Sequence, residues 1–302
     1  MIKKYFFSFL FSAFLCFFSL NTVFAQSSLP VATDENLSIL TWNLYMRPRI
    51  AFHNGQLKRA NAIVEQLKDQ NYDVIVFQEA FDKKTRNRIW QGLQEKFPYQ
   101  SGDPKSKHFY KVNTGIFIIS KFPLNVIDDI YFSECGGSDC YSSKGAVLVN
   151  VTKNNHKVQI IGTHLQAAEG KKLTGQQIRQ IQYEEIKNKL MIPHAEAGIP
   201  QFFVGDLNTK KEDSVAYEKL LAEMDVEDGE ITGDYKFSSG GGKNDLRDPT
   251  DKPHLIDYIL CRNNGCKVNF TQRCVKVFQQ VWSKDNKDLS DHYAVLAEIA
   301  LK

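Results

Sequence analysis

The 302-residue sequence predicts an α/β protein in which two β-sheets pack together and helices cover them. Many short apolar runs have strand character, and only a few amphipathic helices lie between them. Some consecutive strands are joined by hairpin signals, such as the Lys153-Asn154-Asn155 stretch. Neither a repeat nor a separating linker divides the chain, so we expect one domain over residues 26–302.

The predicted strands are short apolar runs, several of them rich in β-branched residues. In chain order they span residues 37–44, 73–80, 114–120, 126–132, 145–151, 157–164, 201–204, 255–261, 267–278 and 293–300. The predicted helices carry apolar residues at helical spacing, as at Ala60, Ile63 and Leu67. They span residues 55–68, 83–96, 174–190 and 214–224, and Thr174 is a suitable N-cap. The polar segment 225–253 has three consecutive glycines but lacks P-loop spacing, so we expect a mobile loop there.

The first 25 residues are typical of a secretory signal peptide. Lys3 and Lys4 precede an apolar run over residues 5–20, and Ala25 ends a short stretch that a signal peptidase would recognise. An uncleaved membrane anchor is the alternative, but the run is short for a span of about 20 residues. We expect cleavage after Ala25 and export, which makes the protein extracellular or periplasmic.

Five cysteines follow the predicted cleavage site, and export permits disulfides among them. Cys135 and Cys140 flank a flexible Gly-Gly-Ser-Asp loop that a disulfide could close. Cys261 and Cys266 flank Arg-Asn-Asn-Gly, which predicts a hairpin turn. With Cys274 the number is odd, so one cysteine must stay unpaired, and the sequence does not indicate which. No CxxC motif or finger-like histidine spacing favours zinc.

The net charge of +3 is weak, which argues against a stable nucleic-acid partner without excluding an enzyme that cuts nucleic acid. Polar side chains instead follow several of the predicted strands, where rigid backbone gives way to loops. Glu79 ends a strand that is otherwise apolar, and its carboxylate with the Asn43 amide oxygen suits Mg²⁺. Taken alone, Glu79 is better explained by a salt bridge to a nearby lysine.

A histidine near the end of the chain is a candidate general base. His292 follows Asp291, and Asp257 lies within an apolar strand where it needs a partner such as this imidazole. Asp206 and Asn208 follow another buried strand, although an Asx-turn or a helix cap explains such a pair as well.

The ordered set of these segments resembles the endonuclease/exonuclease/phosphatase superfamily, which has the DNase I-like fold. The segments are Thr41-Trp42-Asn43, Gln78-Glu79, Gly162-Thr163-His164, Gly205-Asp206-Leu207-Asn208, Ile256-Asp257-Tyr258 and Ser290-Asp291-His292. The resemblance implies a four-layered αββα sandwich and Mg²⁺-dependent hydrolysis of phosphodiesters or phosphomonoesters. It also implies that Glu79 is the principal Mg²⁺ ligand, with Asn43 beside it.

The same resemblance implies roles for the other residues. His292 activates the attacking water, and Asp257 orients His292. Asp206 and Asn208 position the nucleophile and the phosphate. His164 stabilises the charge of the phosphate, and Asp291 supports the metal or water network.

Further segments resemble the bacterial secreted neutral sphingomyelinases. They are Asn43-Leu44-Tyr45-Met46, Gly55-Gln56-Leu57-Lys58-Arg59-Ala60, Gln78-Glu79-Ala80-Phe81-Asp82, Ser143-Lys144-Gly145 and Thr163-His164-Leu165-Gln166-Ala167. The implied reaction converts sphingomyelin and water to ceramide and phosphocholine. A quaternary ammonium can bind to an aromatic face, so Phe81 and Tyr45 are candidate choline contacts, and packing is the alternative for both.

A substrate in a bilayer requires contact with the membrane surface. Phe278 and Trp282 precede a polar stretch and predict an aromatic-tipped hairpin that touches lipid, although a buried Trp282 is the alternative. We expect a monomer whose partner is membrane sphingomyelin. The alternative function is a secreted Mg²⁺-dependent nuclease of the same fold, which would carry a basic groove. A scaffold without activity is less favoured, because it has no reason to keep this polar set.

Overall fold

The computed structural model describes residues 36–49, 51–167 and 169–301. The predicted signal peptide lies outside these residues. Within them the strands, numbered along the chain, are β1 (Asn36–Asn43), β2 (Val74–Gln78), β3 (Tyr99–Gln100), β4 (Phe117–Ser120), β5 (Leu124–Tyr131), β6 (Gly145–Lys153), β7 (His156–His164), β8 (Gln201–Asp206), β9 (Asp257–Arg262), β10 (Asn269–Lys276) and β11 (Ala294–Ala300). The α-helices are α1 (Gln56–Leu67), α2 (Lys83–Leu93), α3 (Gly175–Ile186) and α4 (Ser214–Met224).

The strands form two sheets. One has the order β10-β11-β1-β2-β4-β3, and the other has the order β5-β6-β7-β8-β9. Each sheet contains one parallel pair, β1 with β2 and β7 with β8, and its other pairs are antiparallel. Because the carboxyl ends of parallel strands lie at one edge, each sheet has a single edge at which two strands give way to loops.

Successive side chains of β1 point to opposite faces of its sheet and pack in two different layers of the protein. Ile39 belongs to the apolar core that the two sheets share, whereas its neighbour Leu40 packs in a second cluster with residues of α1 and α2. The shared core also contains residues of α3 and α4. The period of two directs alternate residues to opposite faces of a sheet. The predicted αββα sandwich is confirmed.

A local signal in the sequence explains where helix α3 begins. The Thr174 hydroxyl accepts the Gln177 backbone N–H at 3.2 Å, and the Gln177 side chain accepts the Thr174 N–H at 2.9 Å. This reciprocal capping box satisfies two of the free N–H groups at the start of α3. The segment predicted as one helix to residue 190 changes to a π-turn over Lys187–Met191.

The cysteines follow the prediction in part. Cys135 and Cys140 form a disulfide, as expected. Cys261, Cys266 and Cys274 are all free thiols. The prediction of a hairpin between Cys261 and Cys266 is wrong, because the strands on either side, β9 and β10, belong to different sheets.

The prediction of an exposed aromatic hairpin tip is also wrong. A short hairpin does form, with a bridge between Gln279 and Asp288, but its aromatic rings face the protein. Phe278 is 8% exposed and its ring lies 5.0 Å from that of Trp42. The Trp282 indole N–H donates to the Asp288 carbonyl at 2.8 Å, and its ring lies against Gly55. Phe278 is buried against Trp42 and Trp282 is partly buried against Gly55, so neither ring projects from the hairpin.

The polar segment 225–253, expected to be a mobile loop, is held by backbone bridges. Glu227 pairs with Cys261, Thr232 pairs with Cys274, and Ser239 pairs with both His254 and His292. Within the described residues, no helix has the length and apolar character needed to cross a bilayer.

Candidate active site

The predicted site residues converge at one edge of the sandwich. Asn43 and Gln78 are in register at the ends of parallel strands β1 and β2, so Glu79 follows directly. His164 and Asp206 are in register at the ends of parallel strands β7 and β8. The remaining members come from antiparallel neighbours, whose first residues lie at the same edge. Asp257 is opposite Asp206 on β9, and His292 precedes β11.

Asn43 joins the two sheets at this edge. Its amide nitrogen donates to Glu79 Oε1 at 3.2 Å and to Asp206 Oδ2 at 3.0 Å. Its amide oxygen accepts the Tyr45 backbone N–H at 3.1 Å. In this arrangement Asn43 holds both carboxylates, and the amide oxygen that was predicted to bind metal faces the backbone.

The carboxylate of Glu79 lies in an environment that suits a cation. Desolvation and the negative charge of Asp291 raise the pKa of Glu79 to about 7, against the opposing effects of Lys144 and the Asn43 hydrogen bond. A second carboxylate nearby destabilises the ionised form, and a hard divalent cation bound to oxygen ligands would reverse this effect. The residues present therefore fit the Mg²⁺ ion that the sequence predicted.

His292 and Asp257 form a hydrogen-bonded pair. The imidazole Nδ1 lies 2.8 Å from Asp257 Oδ2, and the Asp257 side chain is fully buried. Burial alone would lower the pKa of His292, but the carboxylates of Asp257, Asp206 and Asp291 outweigh it and raise the pKa to about 10. The His292 backbone is fixed as well, because its carbonyl accepts the Trp42 indole N–H at 2.9 Å. The pair has the geometry of a histidine base oriented by a carboxylate.

Arg247 contacts the other nitrogen of His292. Its guanidinium Nη2 lies 3.2 Å from His292 Nε2 and also donates to the Ser239 hydroxyl. Its Nε donates to the Asp291 carbonyl at 3.3 Å and lies 3.6 Å from Asp291 Oδ2. Arginine only donates, so this contact suits a neutral His292 whose proton lies on Nδ1, and it is unfavourable for the imidazolium that the raised pKa of His292 favours. A cation from the 225–253 segment thus covers the nitrogen that would take a proton.

His164 is neutral and is held by a buried lysine. Burial and the Lys144 ammonium lower the pKa of His164 to about 3, despite the nearby Asp206 carboxylate. Lys144 Nζ lies 3.1 Å from His164 Nε2, donates to the Leu165 carbonyl at 2.7 Å, and lies 3.1 Å from Asp139 Oδ2. Among the described residues His164 Nδ1 has no hydrogen-bond partner, so this buried donor is available to a ligand.

The other predicted members lie in the same cluster. Asp206 Oδ1 accepts the Asn208 backbone N–H at 3.1 Å, and the Asn208 amide donates to the Leu165 carbonyl at 3.1 Å. Asp291 is buried beside Ser290, whose hydroxyl donates to the Asn43 carbonyl at 2.5 Å. Strand ends and short side-chain bonds together fix every acid and amide of the predicted set at this edge.

Asp206, Asp257 and His292 also form a group with ligand atoms within 4.8 Å of one another, close enough to hold a metal ion. Two of these residues already share a 2.8 Å hydrogen bond, between His292 Nδ1 and Asp257 Oδ2. A cation at this position would have to replace that bond. The geometry of this group therefore suits orientation of the histidine, and the carboxylate of Glu79 is a separate place that suits a cation.

The two candidate choline contacts lie near this edge in different environments. The Tyr45 ring is covered by the Arg47 guanidinium, 4.6 Å from the ring centre, and its hydroxyl accepts from Arg47 at 2.7 Å. Phe81 is half-buried, and its ring packs against Gly115. One face of Tyr45 thus already has a cationic partner, and both residues remain predictions as choline contacts.

Two cations of the site were not predicted as site residues. Lys144 lies within the recognised segment Ser143-Lys144-Gly145, directly before β6, and this position was the signal in the sequence. Its burial, which requires a partner for the ammonium, is known from the structure. Arg247 lies in a polar stretch with no apolar pattern, and nothing local indicates that it reaches His292.

A four-layered sandwich with acids and histidines gathered where its parallel strands end defines a protein of the DNase I-like class. Residues 40–292 match the Endonuclease/Exonuclease/phosphatase family, and the chain belongs to this family.

Several proteins similar to this chain are bacterial. The chain is 28% identical over 287 residues to Sphingomyelinase C 2 of Leptospira interrogans, with 87% of this chain and 46% of that protein covered. It is 30% identical over 249 residues to a Phospholipase C of Staphylococcus aureus, with 75% and 74% covered. The chain spans about half the length of its Leptospira relatives. It is also similar to the crystal structure of a double mutant of Staphylococcus aureus beta toxin with bound magnesium ions. That match has a TM-score of 0.73 and 26% identity, and covers 87% of this chain and 99% of that chain.

Proposed function

We propose that the protein is a Mg²⁺-dependent phosphodiesterase that hydrolyses sphingomyelin to ceramide and phosphocholine. The observation that carries the proposal is the buried Asp257–His292 pair at 2.8 Å, located at the same edge as Glu79. The substrate class rests on the similarity to proteins named sphingomyelinase C.

His292 acts as the general base at its Nε2 atom once the Arg247 guanidinium, which lies 3.2 Å from that atom, moves to the phosphate. Asp257 holds the proton of the imidazole on Nδ1 and stabilises the imidazolium that forms. The water oxygen bonds to phosphorus and its proton passes to Nε2. The bond from phosphorus to the ceramide oxygen breaks as that oxygen takes up a proton from solvent, and the imidazolium then releases its proton to solvent. Asp206 Oδ2 lies 3.8 Å from Nε2, which is too long for a direct bond and leaves the two groups free to orient a water between them.

The remaining residues bind and orient the phosphate. Asn208 and the neutral His164 offer hydrogen-bond donors, and Lys144 and Arg247 supply fixed positive charge. When bound at Glu79, with Asn43 beside it, Mg²⁺ would neutralise charge on the phosphate oxygens. Asp291 supports this arrangement through its negative charge beside Glu79.

The experiment that tests the function compares two substrates. The purified protein is assayed on sphingomyelin vesicles and on double-stranded DNA, with Mg²⁺ and with EDTA, alongside Glu79→Ala and His292→Ala. Glu95→Ala is the matched control, because Glu95 is an exposed carboxylate in the turn that follows α2. We expect phosphocholine release that requires Mg²⁺, Glu79 and His292 but not Glu95. DNA cleavage without lipid hydrolysis would show instead a nuclease on the same fold.

We also propose that the protein is exported and acts as a monomer on membrane sphingomyelin, without a stable nucleic-acid partner. The signal-like first 25 residues support export. Mass spectrometry of the protein from the producing cells' medium would give a chain beginning at Gln26, and light scattering would give the mass of one chain. A full-length chain retained in the cells would contradict export.

A further inference from the structure

Three aromatic side chains project from one surface of the protein. Phe109 is fully exposed at 100%, Tyr110 is 69% exposed, and Tyr141 is 77% exposed. The backbone of Val112 donates to the Tyr141 carbonyl at 2.9 Å, so these residues belong to adjoining loops. Single exposed apolar residues are ordinary, but a group of this size on one surface indicates an interaction site.

The turn that carries Phe109 and Tyr110 is organised by its own bonds. The Ser106 hydroxyl contacts the carbonyls of both His108 and Lys111, and the Lys111 N–H donates to the His108 carbonyl at 3.0 Å. The His108 ring stacks on Tyr110 at 5.2 Å, and the Phe109 ring meets Tyr110 edge-on at 5.4 Å. The rings are therefore displayed by a formed turn and do not cover any core of the protein.

The same turn is basic. Lys105, Lys107 and Lys111 surround the aromatic residues, and the nearest acid to Lys105 is Asp129, at a long 3.9 Å. Aromatic rings with apolar bodies and lysines with long stems are the residues that favour the boundary between lipid headgroups and acyl chains. Lysines near a bilayer also attract the phosphate groups of anionic lipids.

The base of this turn is bonded to the segments that build the candidate active site. Val112 pairs with Ser142, two residues before Lys144, which contacts His164. The Asn113 amide donates to the Phe81 carbonyl at 3.0 Å, two residues after Glu79. A membrane that touches the turn would therefore lie beside the edge at which the site opens.

We propose that residues 105–111 and Tyr141 form the membrane-docking surface of this protein, in place of the hairpin that holds Phe278 and Trp282. Phe109 and Tyr110 insert at the headgroup boundary of a phospholipid bilayer, and the lysines contact lipid phosphates. The inference rests on the proposed function, since a lipid substrate gives the active-site edge a reason to face a bilayer.

The test separates docking from catalysis by using vesicles that lack sphingomyelin. The full chain and the double variant Phe109→Ala/Tyr110→Ala are sedimented with phosphatidylcholine vesicles, with and without phosphatidylglycerol. Val215→Ala is the matched control, because Val215 is 75% exposed on α4 and lies outside this surface. We expect the double variant to partition at least about tenfold more weakly, since each buried aromatic ring contributes on the order of a tenfold change. Lys107→Ala/Lys111→Ala should weaken binding mainly to the anionic vesicles and at low salt.

The outcomes separate the two proposals. A double variant that sediments like the native protein overturns the docking surface, and concentration-dependent dimerisation lost in that variant would assign the surface to a second copy. Native protein that binds vesicles through these residues yet hydrolyses no sphingomyelin would contradict the proposed function alone. If both proposals hold, the double variant loses activity on vesicles but keeps it on a dispersed short-chain sphingomyelin.

Discussion

Replacing Asp257 by Asn tests how the histidine is activated. The substitution keeps the shape of the side chain but removes the charge that lies 2.8 Å from His292 Nδ1. Among the described residues Asp257 Oδ1 has no partner, so an Asn amide can turn its nitrogen toward Nδ1 at little local cost. The imidazole proton would then move to Nε2, where it prevents His292 from accepting a proton from water.

The size of the effect follows from the charges. Opposite charges about 4 Å apart interact by about 4 kcal/mol at an effective dielectric near 20, which equals about three pKa units. This is comparable with the whole rise of the His292 pKa from 6.5 to about 10. We expect kcat to fall by about 10²–10⁴-fold, the usual range for loss of a positioned base. The acid limb of the kcat/KM profile should move to lower pH.

Stability should change in a defined pH window. Because the folded-state pKa of His292 lies above its ordinary value, its contribution to stability is full below pH 6.5 and is lost as pH rises toward about 10. The difference in unfolding free energy between native protein and Asp257→Asn should therefore shrink across that window. Denaturant unfolding at a series of pH values measures it.

Metal affinity decides between the two interpretations of the Asp206, Asp257 and His292 group. Calorimetry should find that Asp257→Asn still binds Mg²⁺, with an affinity well above that of Glu79→Gln, because in this interpretation Asp257 orients His292 and does not bind the cation. Nitrogen NMR of the His292 ring should show the proton shifted from Nδ1 to Nε2. A kcat within fivefold of native protein, or a loss of Mg²⁺ affinity equal to that of Glu79→Gln, would refute this reasoning and favour a cation held by the group itself.

Three further predictions concern other parts of the molecule. Glu79→Gln should abolish the increase in melting temperature that Mg²⁺ gives the native protein, measured by scanning calorimetry, because the principal ligand is lost. Arg247→Gln should raise KM more than it lowers kcat and should weaken binding of inorganic phosphate, measured by calorimetry; Lys252→Gln, a nearby change, should not. Cys135→Ser/Cys140→Ser should cost about 2 kcal/mol of unfolding free energy and lower activity through the loop that anchors Lys144, and an unchanged denaturation midpoint would contradict this.

The sequence predicted the residues that follow apolar runs. Glu79, His164 and Asp206 each lie at the end of a buried strand. A polar residue at the end of an apolar run can be recognised from the local sequence alone. Their convergence follows from parallel pairing within each sheet, which brings strand ends to a common edge. The layered fold was predictable for the same reason, since alternation and helical stripes are properties of short segments.

Contacts between distant segments were not predictable in this way. Arg247 reaches His292 because backbone bridges hold the 225–253 segment against β9, β10 and His292, and nothing in its polar sequence encodes those bridges. In the sequence, Phe278 and Trp282 look like surface residues beside a polar stretch. In the structure, Phe278 packs against the Trp42 ring and Trp282 packs against Gly55. The exposed Phe109 and Tyr110 lie outside any predicted element, so their exposure is known only from the structure.

Glu79 and His292 share one electrostatic cause for their raised pKa values. Desolvation and Asp291 raise that of Glu79, and nearby carboxylates, Asp291 among them, outweigh burial at His292. With no cation beside Glu79, protons on Glu79 and His292 offset the negative charge of the surrounding carboxylates. A divalent cation beside Glu79 would lower both pKa values, which leaves Glu79 ionised and His292 neutral. These are the forms needed for a metal ligand and for a base, so in the proposed mechanism one cluster of acids would couple the binding of the cation to the deprotonation of His292.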